Sequence, residues 1–538
     1  MKKILFISIC ISGLVFFSCH DDLIQNPTDP DLFTEVDVYK TTEDALGALA
    51  KVYGSLALTG QQGPAGNADI DPSIIDEGTS QFTRLLYTLN ELTTDNAVVA
   101  WGDPGLPNIH EMSWGVNNVY IKGMYFRLSQ VVSFANSFIE NANAMGSSDN
   151  RVAEYIAEAR FIRAFAYSQL MDLFANVPLV TQISFGLPEQ SNRQEIFSFV
   201  EQELLDLESL LPASSSNEYG RVDQVAASAL LTRIYLNAEV YIGQNRYADV
   251  ISKAETVMGS TYAINTNDAN NNNGTAYDEL FLADNHMNGA QNEFIFTLVY
   301  DGLNSQTWAG NTFLVHAAVG GSMNPSDFGI NGGWWGTRTT KALVEKFSDA
   351  ITDSNSDGHP TAWSDARAMF YTDGQNYEIE SISAFGDGYA VTKFKNLDSS
   401  GNAGSDASGN FVDTDLPVIR LAEVHLNYVE AVARGGGGST ATAVSLINAL
   451  RERANAAPIS ASDLTIDFVM DERQRELYWE GLRRVDLIRN NQYIGANYVW
   501  PFKAGAANGK ASEAHRKIFP IPEDILLVNE NLTQNPDY

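Results

Sequence analysis

Apolar residues recur every three or four positions through most of the chain, and this spacing predicts a mostly α-helical protein. The pattern is clearest over 151–173, where Val152, Ile162 and Leu173 fall on one face of a helix. Proline follows several of these stretches, at the place where helices commonly end. Comparable stretches cover 42–58 (with Thr42 as the expected N-cap), 118–145 and 194–211.

Two pairs of helical stretches are each joined by a short turn and predict helix hairpins. Residues 222–238 and 246–258 form the first pair, and 421–434 and 440–454 form the second around a run of four glycines. Their dense mixture of small and large apolar residues is typical of tetratricopeptide-type hairpins. The repeats follow no strict period, so the prediction concerns only the kind of packing.

The residues between the two hairpins, 259–416, follow a different pattern. Runs rich in Asn, Gly, Ser and Asp alternate with short apolar runs, of which 294–300 (FIFTLVY) is the best candidate strand. Such a segment does not easily form a compact core of its own. We therefore expect it to lie over the helical scaffold and to carry loops, where binding residues are often found.

The N-terminus looks like a bacterial lipoprotein signal. Lys2 and Lys3 precede an apolar run over 4–17, which is too short to span a bilayer and ends at Ser18 and Cys19. We expect cleavage before Cys19 and acylation of that residue; the alternative is an ordinary signal peptide cut nearby. Because Cys10 would leave with the signal, the mature chain would hold one cysteine and no disulfide. The membrane anchor would then be lipid alone.

Charge and motif content narrow the classes of function. With 67 acidic and 34 basic residues the net charge is −33, which disfavours nucleic acid or an anionic lipid surface as a partner and suits a neutral ligand. The chain has no zinc-protease, serine-hydrolase, P-loop or dinucleotide motif. Paired carboxylates, the mark of glycosidases, cannot be tested in a chain with so many acids. We expect a protein that is not an enzyme and needs no cofactor.

The most highly charged stretch is 471–490, with ten charged residues among twenty. Unlike charges lie three and four positions apart, where helical side chains meet, and Gly481 predicts a break between two helices. Interspersed apolar residues, including Trp479, predict that the pair is buried. We interpret the stretch as scaffold whose charges pair with each other and with the arginines of 151–163. A buried network of this kind fixes geometry more than it adds stability.

Tryptophans in loops are the candidate ligand-binding residues. A neutral sugar needs aromatic faces for its apolar ring faces and a few polar groups for its hydroxyls. Each tryptophan alone has an equally good interpretation as packing, but a set spread over two loop regions favours a ligand surface. The set in Gly-, Pro- or Asn-rich loops is Trp101, Trp114, Trp308, Trp334 and Trp335.

One motif resembles the opening of a calcium loop. Asp353, Asn355 and Asp357 place oxygen ligands at alternate positions, and Gly358 follows at the sharp turn. The closing glutamate of such a loop is missing, since Ser364 occupies its place. An exposed Asp/Ser/Gly turn is the favoured interpretation, and a structural calcium site is the alternative.

Segments along nearly the whole mature chain resemble the SusD/RagB family of outer-membrane lipoproteins. No single segment decides this; their order and completeness make the resemblance specific. Besides the lipidated start, they are ELTTDNAVV (91–99), ARFIRAFAYSQLMDLFANVPLV (159–180), VDQVAASALLTRIYL (222–236), VTKFKN (391–396), PVIRLAEVHLNYVEA (417–431), INALRERA (447–454), ERQRELYWEGLRRVDLIR (472–489) and FPIPEDILLVNENLTQNPDY (519–538).

The resemblance implies a mostly α fold in which tetratricopeptide-like helix pairs pack against a loop-rich half that carries the ligand site. It also implies a surface protein that captures a nutrient, usually a glycan, and passes it to a TonB-dependent outer-membrane transporter. The implied division of the chain is a signal peptide (1–18), a lipidated tether (19–40), an N-terminal helical part (41–258), a ligand-bearing insertion (259–416) and a C-terminal helical part (417–538).

The resemblance also implies site residues. The spacing of Asp76, Arg84 and Trp101 is similar to that of an acid, an arginine and a stacking tryptophan in the starch-binding prototype of the family. Trp308 and Trp335, with its neighbour Trp334, would complete an aromatic arc. The prototype's asparagine has no counterpart, because Pro104 occupies the neighbourhood. An α-glucan is the favoured ligand, with a β-glucan as competitor and a peptide, as in the RagB branch, as the alternative.

Overall fold

The computed structural model describes residues 38–184, 186–268 and 275–538. The predicted signal peptide, Cys19 and most of the tether lie outside the described residues. The helices are α1 (Thr42–Ala57), α2 (Phe82–Asn90), α3 (Leu106–His110), α4 (Val119–Ala144), α5 (Asn150–Phe174), α6 (Arg193–Leu210), α7 (Gln224–Leu236), α8 (Ala238–Ile242), α9 (Tyr247–Met258), α10 (Gly310–Ala317), α11 (Lys341–Val344), α12 (Leu421–Ala433), α13 (Thr440–Arg453), α14 (Ile466–Leu477), α15 (Arg483–Arg489) and α16 (Glu523–Val528). The prediction of a mostly α protein is confirmed.

The strands are short and form antiparallel pairs. The pairs are β1 (Val98–Val99) with β5 (Thr337–Arg338), β2 (Val177–Pro178) with β3 (Gln190–Ser191), β4 (Phe294–Leu298) with β10 (Leu416–Arg420), β6 (Ile351–Ser354) with β7 (Pro360–Trp363), and β8 (Phe370–Tyr371) with β9 (Ala390–Val391). The strand predicted at 294–300 is confirmed as β4.

Polar side chains set the starts of the long helices close to the predicted positions. Asn118 caps α4 by accepting from the backbone N–H groups of Tyr120 and Ile121. The N-cap prediction for α1 was wrong by one residue. Thr41 is the cap and forms a reciprocal capping box with Asp44, which leaves Thr42 as the first helical residue.

Consecutive helices pack side by side into one helical scaffold. Following the scaffold from one end to the other, α4 packs on α5, α5 on α6, α6 on α7, α7 on α9, α9 on α12 and α12 on α13. The two predicted hairpins, α7 with α9 and α12 with α13, therefore stack on each other through α9 and α12. This is the neighbour-on-neighbour arrangement of helical repeat proteins.

The loop-rich region between α9 and α12 lies against this scaffold, as predicted. Its first strand, β4, pairs with β10, which ends it, so the start and the end of the region lie side by side. Phe296 of β4 packs edge-on against Phe161 and Phe165 of α5, with ring centroids 5.3 and 5.2 Å apart. These aromatic contacts bury the base of the region against the helices.

The charged stretch 471–490 forms α14 and α15 and is buried, which confirms its scaffold interpretation. Trp479, in the turn between the two helices, is a core residue. Carboxylates of α14 and the following turn bind cations from other segments, and arginines of α15 bind acids from other segments. These pairs are Glu472 with Arg367 and Arg451, Glu476 with Arg420 and Arg453, Glu480 with Lys393, Arg483 with Asp95, Arg484 with Asp172, and Arg489 with Glu430.

The predicted pairing scheme was therefore wrong in part. Some charges do pair inside the stretch, such as Arg473 with Asp486 at 2.8 Å. The arginines of 151–163 are not partners, because Arg160 and Arg163 bind Glu203 of α6 instead. Charge spacing along one helix shows which side chains are neighbours on that helix, but it does not show which distant segments supply the counter-charges.

Candidate functional site

Arg84 stands at the centre of the candidate site. It lies in the first turn of α2, where the Gln81 side chain caps the helix by accepting from the Arg84 backbone N–H at 3.1 Å. The guanidinium carbon is 4.9 Å from the centre of the Phe313 ring and 5.8 Å from that of the Trp101 ring. Its Nη1 donates to the carbonyl oxygen of Gly78 at 3.1 Å. Two aromatic rings and one carbonyl thus hold the group in place.

Arg84 differs from the other arginines in how few partners it has. The described residues include every arginine of the chain, and among them only Arg84, Arg193 and Arg338 form no ion pair. Arg193 and Arg338 each donate to three backbone carbonyls. Arg84 donates to one, so most of its five N–H groups remain available to a ligand.

The guanidinium borders a cleft of about 550 Å³. The pKa of Arg84 is lowered by burial, an effect opposed by Tyr120, Asp76 and Asp103. Burial and the charge of Asp103 raise the pKa of Tyr120 to about 12, so its hydroxyl keeps its proton at neutral pH. The cleft therefore combines a cation, two carboxylates and a phenol within one concave surface.

Asp103 and Tyr120 were missed by the sequence reasoning. Asp103 had a signal, because it lies two residues after Trp101 in the same Gly/Pro turn. Tyr120 had none, since it is the second residue of an ordinary amphipathic helix, α4. Its side chain is largely buried, and its hydroxyl forms no hydrogen bond to the rest of the described chain.

Strand pairing brings the other predicted tryptophans to Trp101. Because β1 pairs with β5, the backbone N–H of Ala100 donates to the carbonyl oxygen of Gly336 at 2.8 Å. The Trp101 indole Nε1 donates to the carbonyl oxygen of Trp334 at 3.0 Å. A Cβ on Gly336 would lie 2.4 Å from the Trp101 ring, so only glycine permits this approach.

Trp334 and Trp335 face different surroundings. Trp334 stacks on His316 with ring centroids 4.8 Å apart and an interplanar angle of 23°. Trp335 is 55% exposed, adopts a left-handed backbone conformation with φ of +56°, and lies 6.0 Å from the Phe385 ring. A bulky residue with positive φ is uncommon, and such strain often accompanies a functional role. Trp335 is the predicted tryptophan with the most open face.

Trp308 lies next to Gly78, whose carbonyl oxygen accepts from Arg84. It is half-buried and packs on Phe411 with ring centroids 4.6 Å apart. A Cβ on Gly78 would lie 3.4 Å from the Trp308 Cβ and 3.4 Å from the Asp76 carboxylate. Contacts between neighbours thus link Asp76, Arg84, Trp101, Trp308 and Trp334, and Trp335 follows Trp334 in the chain. Of these predicted residues, Asp76 and Arg84 line the cleft, whereas the tryptophans lie outside its lining.

Trp114 does not belong to this surface, contrary to the interpretation of the five loop tryptophans as one set. It is 1% exposed, packs against Phe519 and donates from Nε1 to the Tyr538 hydroxyl at 2.8 Å. The C-terminal residues Phe519 and Tyr538 cover the indole, although Ser113 and Gly115 on either side of it are exposed. The loop composition of the sequence gave no indication of that covering segment.

The calcium-like motif forms the exposed turn of the β6–β7 hairpin. The side-chain oxygen of Asn355 accepts from the backbone N–H groups of Asp357 and His359, both at 3.0 Å. The Asp353 carboxylate accepts from the Ser354 N–H at 2.9 Å. These side-chain oxygens accept hydrogen bonds within the hairpin, as expected of a simple turn. The calcium site stays a prediction.

Comparison with known proteins shows the family. The starch-binding protein SusD of Bacteroides thetaiotaomicron is 32% identical to this chain over 99% of the chain and 97% of the relative. The chain belongs to the SusD family. Two SusD-related family models agree: "SusD family" matches residues 365–538, and "Starch-binding associating with outer membrane" matches residues 74–236. The resemblance inferred from the sequence is confirmed.

More distant SusD-family proteins cover most of the chain as well. SusD-like protein P2 of Formosa agariphila is 24% identical over 96% of both chains. A SusD superfamily protein from Parabacteroides distasonis has a TM-score of 0.69 and 22% identity, covering 92% of this chain and 99% of its own. Surface glycan-binding protein A from Bacteroides fluxus has a TM-score of 0.68 and 20% identity, covering 93% and 100%. These solved structures confirm the SusD fold. No helix in the described part of the chain is long and apolar enough to cross a membrane.

The two matched SusD ranges divide the candidate site. Asp76, Arg84 and Trp101 lie inside the range 74–236. The tryptophans of the second loop region lie in neither matched range, since they fall between 236 and 365. Asp76, Arg84 and Trp101 thus come from a segment that a family model matches, and Trp308, Trp334 and Trp335 come from the segment between the two matched ranges.

Proposed function

We propose that this SusD-family protein captures a neutral oligosaccharide or polysaccharide at the cleft beside Arg84. The observation that carries the proposal is that Arg84 lies beside the Trp101 indole and, among the described residues, forms one hydrogen bond and no ion pair. Spare guanidinium donors bind sugar hydroxyls, and an indole face stacks on the apolar face of a pyranose ring. Asp76, Asp103 and Tyr120 supply further hydrogen-bonding groups.

Within this proposal the ligand is an α-glucan such as starch or a maltooligosaccharide. The name of the relative that is 32% identical and the description of the model over 74–236 support starch. A β-glucan such as laminarin offers similar ring faces and is the competing ligand. A peptide would need the same scaffold, but the exposed indole face of Trp335 favours a sugar. We propose binding without catalysis, since the relatives are named for binding.

We also propose that the protein is anchored at the cell surface by lipid on Cys19 and delivers its glycan to a TonB-dependent transporter of the outer membrane. The lipoprotein pattern over 1–19 and the outer-membrane wording of the matched family model support this placement. In the proposed division, residues 41–258 and 417–538 form the scaffold, and 259–416 supply the ligand-bearing insertion.

Cys19→Ala should prevent anchoring in the outer membrane, because the acyl chains would have no attachment point. In cell fractionation, the variant is expected in an unprocessed or released form, and its tagged chain should no longer copurify with a TonB-dependent barrel. Cys10→Ala is the matched control: it changes a cysteine of the signal that is removed, so it should be processed like the wild type. A mature Cys19→Ala protein that stays in the outer membrane would reject the lipid attachment.

Trp335→Ala should weaken glycan binding about tenfold without changing the fold. The substitution removes an exposed stacking face, and a loss of about 1.4 kcal/mol corresponds to a factor of ten. Both residues are L-amino acids at the same positive φ, so backbone strain is unchanged. Affinity electrophoresis of the soluble chain against starch, laminarin, other glycans and oligopeptides measures the effect.

Trp335→Phe serves as the aromatic control and should retain most of the affinity. Binding of the wild type to oligopeptides and to none of the glycans would reject the glycan proposal and support the peptide alternative. Binding to laminarin and not to starch would reject the α-glucan only. Unchanged glycan affinity in Trp335→Ala would remove Trp335 from the site.

A further inference from the structure

A second exposed aromatic side chain, Tyr219, lies outside the site described above. It belongs to the connection between α6 and α7, and its side chain is 40% exposed. Despite this exposure the ring is fixed, because its hydroxyl donates to the Asp415 carboxylate at 2.8 Å. Asp415 is itself held by the backbone N–H of Tyr300 at 2.7 Å. The ring is thus held at its hydroxyl end while part of the side chain stays in contact with solvent.

The backbone beside Tyr219 is equally constrained. Gly220 has a φ of +84°, and a Cβ at this position would lie 2.5 Å from the Val299 side chain. Only glycine allows the loop to pack this closely on the segment that follows β4. The His286 ring stands on another side, with its centroid 6.3 Å from that of Tyr219. Such pre-organisation lowers the entropy cost of binding a ligand to the ring.

Tyr219 lines two clefts. The first, of about 180 Å³, is polar and includes Tyr262, Gln291 and Asn292. The second, of about 400 Å³, lies between the loop and α1 and includes Tyr53 and Leu58. In the first cleft the amide Nε2 of Gln291 and Oδ1 of Asn292 have no hydrogen-bond partner among the described residues.

We propose that the Tyr219 surface is a second glycan-binding site, which takes further sugar units of a long neutral polysaccharide. The proposal rests on the proposed function, because it assigns to Tyr219 the ligand class proposed for the Arg84 cleft. A fixed phenol ring stacks on a pyranose face, and the free amide groups of Gln291 and Asn292 bind its hydroxyls. The first cleft has room for about one sugar ring.

Neighbouring segments connect this surface to the Arg84 cleft. Leu58 lines the second cleft, and the next residue, Thr59, contacts the Glu77 carboxylate at 3.4 Å. Glu77 adjoins Asp76 of the Arg84 cleft. Two steps of 3.8 Å between neighbouring residues, the two side chains and their contact place Leu58, at the edge of the second cleft, within roughly 20 Å of Asp76 in the Arg84 cleft. A polymer is long enough to contact both, and two linked contacts raise its apparent affinity well above that of either.

Tyr219→Ala should therefore weaken polymer binding and spare binding of a short oligosaccharide. With the soluble full chain, affinity electrophoresis against amylopectin should show about a tenfold loss of affinity. Calorimetry with maltotriose, which is too short to reach from one site to the other, should show wild-type affinity at the Arg84 cleft. Laminarin and laminaritriose form a second probe pair. The unchanged oligosaccharide affinity also shows that the variant is folded.

Two further variants complete the test. Tyr219→Phe keeps the ring but loses the hydrogen bond that fixes it to Asp415, so its loss of polymer affinity should be smaller than that of Tyr219→Ala. Leu527→Ala removes a more exposed apolar side chain of α16 and should change neither affinity. Equal polymer affinity in Tyr219→Ala and the wild type would overturn the second site and leave the proposed function standing. Parallel loss of both affinities in Tyr219→Ala would also overturn it as a separate site. A wild-type protein that binds none of these probes would reject the proposed function itself.

Discussion

Replacing Arg84 with methionine is expected to weaken glycan binding at least about 100-fold while the protein stays folded. Hydrogen bonds from a charged group contribute roughly 1.5–3 kcal/mol each, and two of them correspond to a factor of about 100 or more. The fold is spared because Arg84 gives up one hydrogen bond, to Gly78, and methionine keeps the apolar contact with Trp101 and Phe313. Calorimetry with maltoheptaose and a thermal melt of the same sample measure both effects.

Two substitutions sharpen the test of Arg84. Arg84→Lys keeps the charge but replaces the planar fork with a single ammonium group, so an intermediate loss of about tenfold is expected. Arg151→Met removes an exposed arginine that pairs with Asp149 and Glu43, and it should bind like the wild type. If Arg84→Met binds maltoheptaose as tightly as the wild type, the cleft beside Arg84 is not the glycan site.

The buried charge network and the binding loop are physically linked through Asp95. Arg483 of α15 binds the Asp95 carboxylate with two hydrogen bonds of 2.7 Å. Gln474 of α14 donates to Asp95 and Asn96, and Trp479 donates to the Asn96 carbonyl. Asp95 and Asn96 lie a few positions before Trp101, directly ahead of β1. The charged helices thus hold the start of the loop that carries Trp101.

The helical part of the fold was predictable because it rests on local chemistry. The apolar period, the polar cap at Asn118 and the proline after α6 are all written in neighbouring residues, and these helices begin and end within one or two residues of the predicted positions. The partners of α14 and α15 were not predictable. Arg420 and Arg453 are far from Glu476 in sequence, and only the three-dimensional packing of α12 and α13 brings them to it.

In the candidate site, too, neighbouring residues predicted the local structure, but not the contacts between residues distant in sequence. Loop composition placed Trp114 and Trp335 in one class, yet the C-terminal residues bury Trp114 and leave Trp335 exposed. The pairing of β1 with β5, which joins Trp101 to Trp334, involves two residues on each side and has no periodic signal. Tyr120 is visible as a site residue only once α4 is placed beside Arg84.

Glu476→Gln is expected to produce the largest loss of stability among single substitutions in the charge network. Glu476 is fully buried and accepts hydrogen bonds from Arg367, Arg420 and Arg453. Removing the acid leaves three guanidinium groups buried around a neutral amide, and breaking a buried pair in this way costs roughly 3–5 kcal/mol. Urea unfolding of the soluble chain, followed by tryptophan fluorescence at pH 7, measures the change in the free energy of unfolding.

The pH dependence of the stability lost in Glu476→Gln shows whether the loss comes from the charge of Glu476 or from its packing. Burial acts to raise the pKa of Glu476, but the three guanidinium groups hold that pKa well below its ordinary value of 4.5. A carboxylate with a depressed folded pKa stabilises the fold above its unfolded pKa, and this stabilisation is lost as the pH falls further. The difference in unfolding free energy between wild type and Glu476→Gln should thus be full at pH 7 and shrink below pH 4.5.

The control is Glu378→Gln, in the exposed pair with Lys341, which should change stability by less than about 1 kcal/mol. If Glu476→Gln costs no more than this control, the network does not depend on the Glu476 charge.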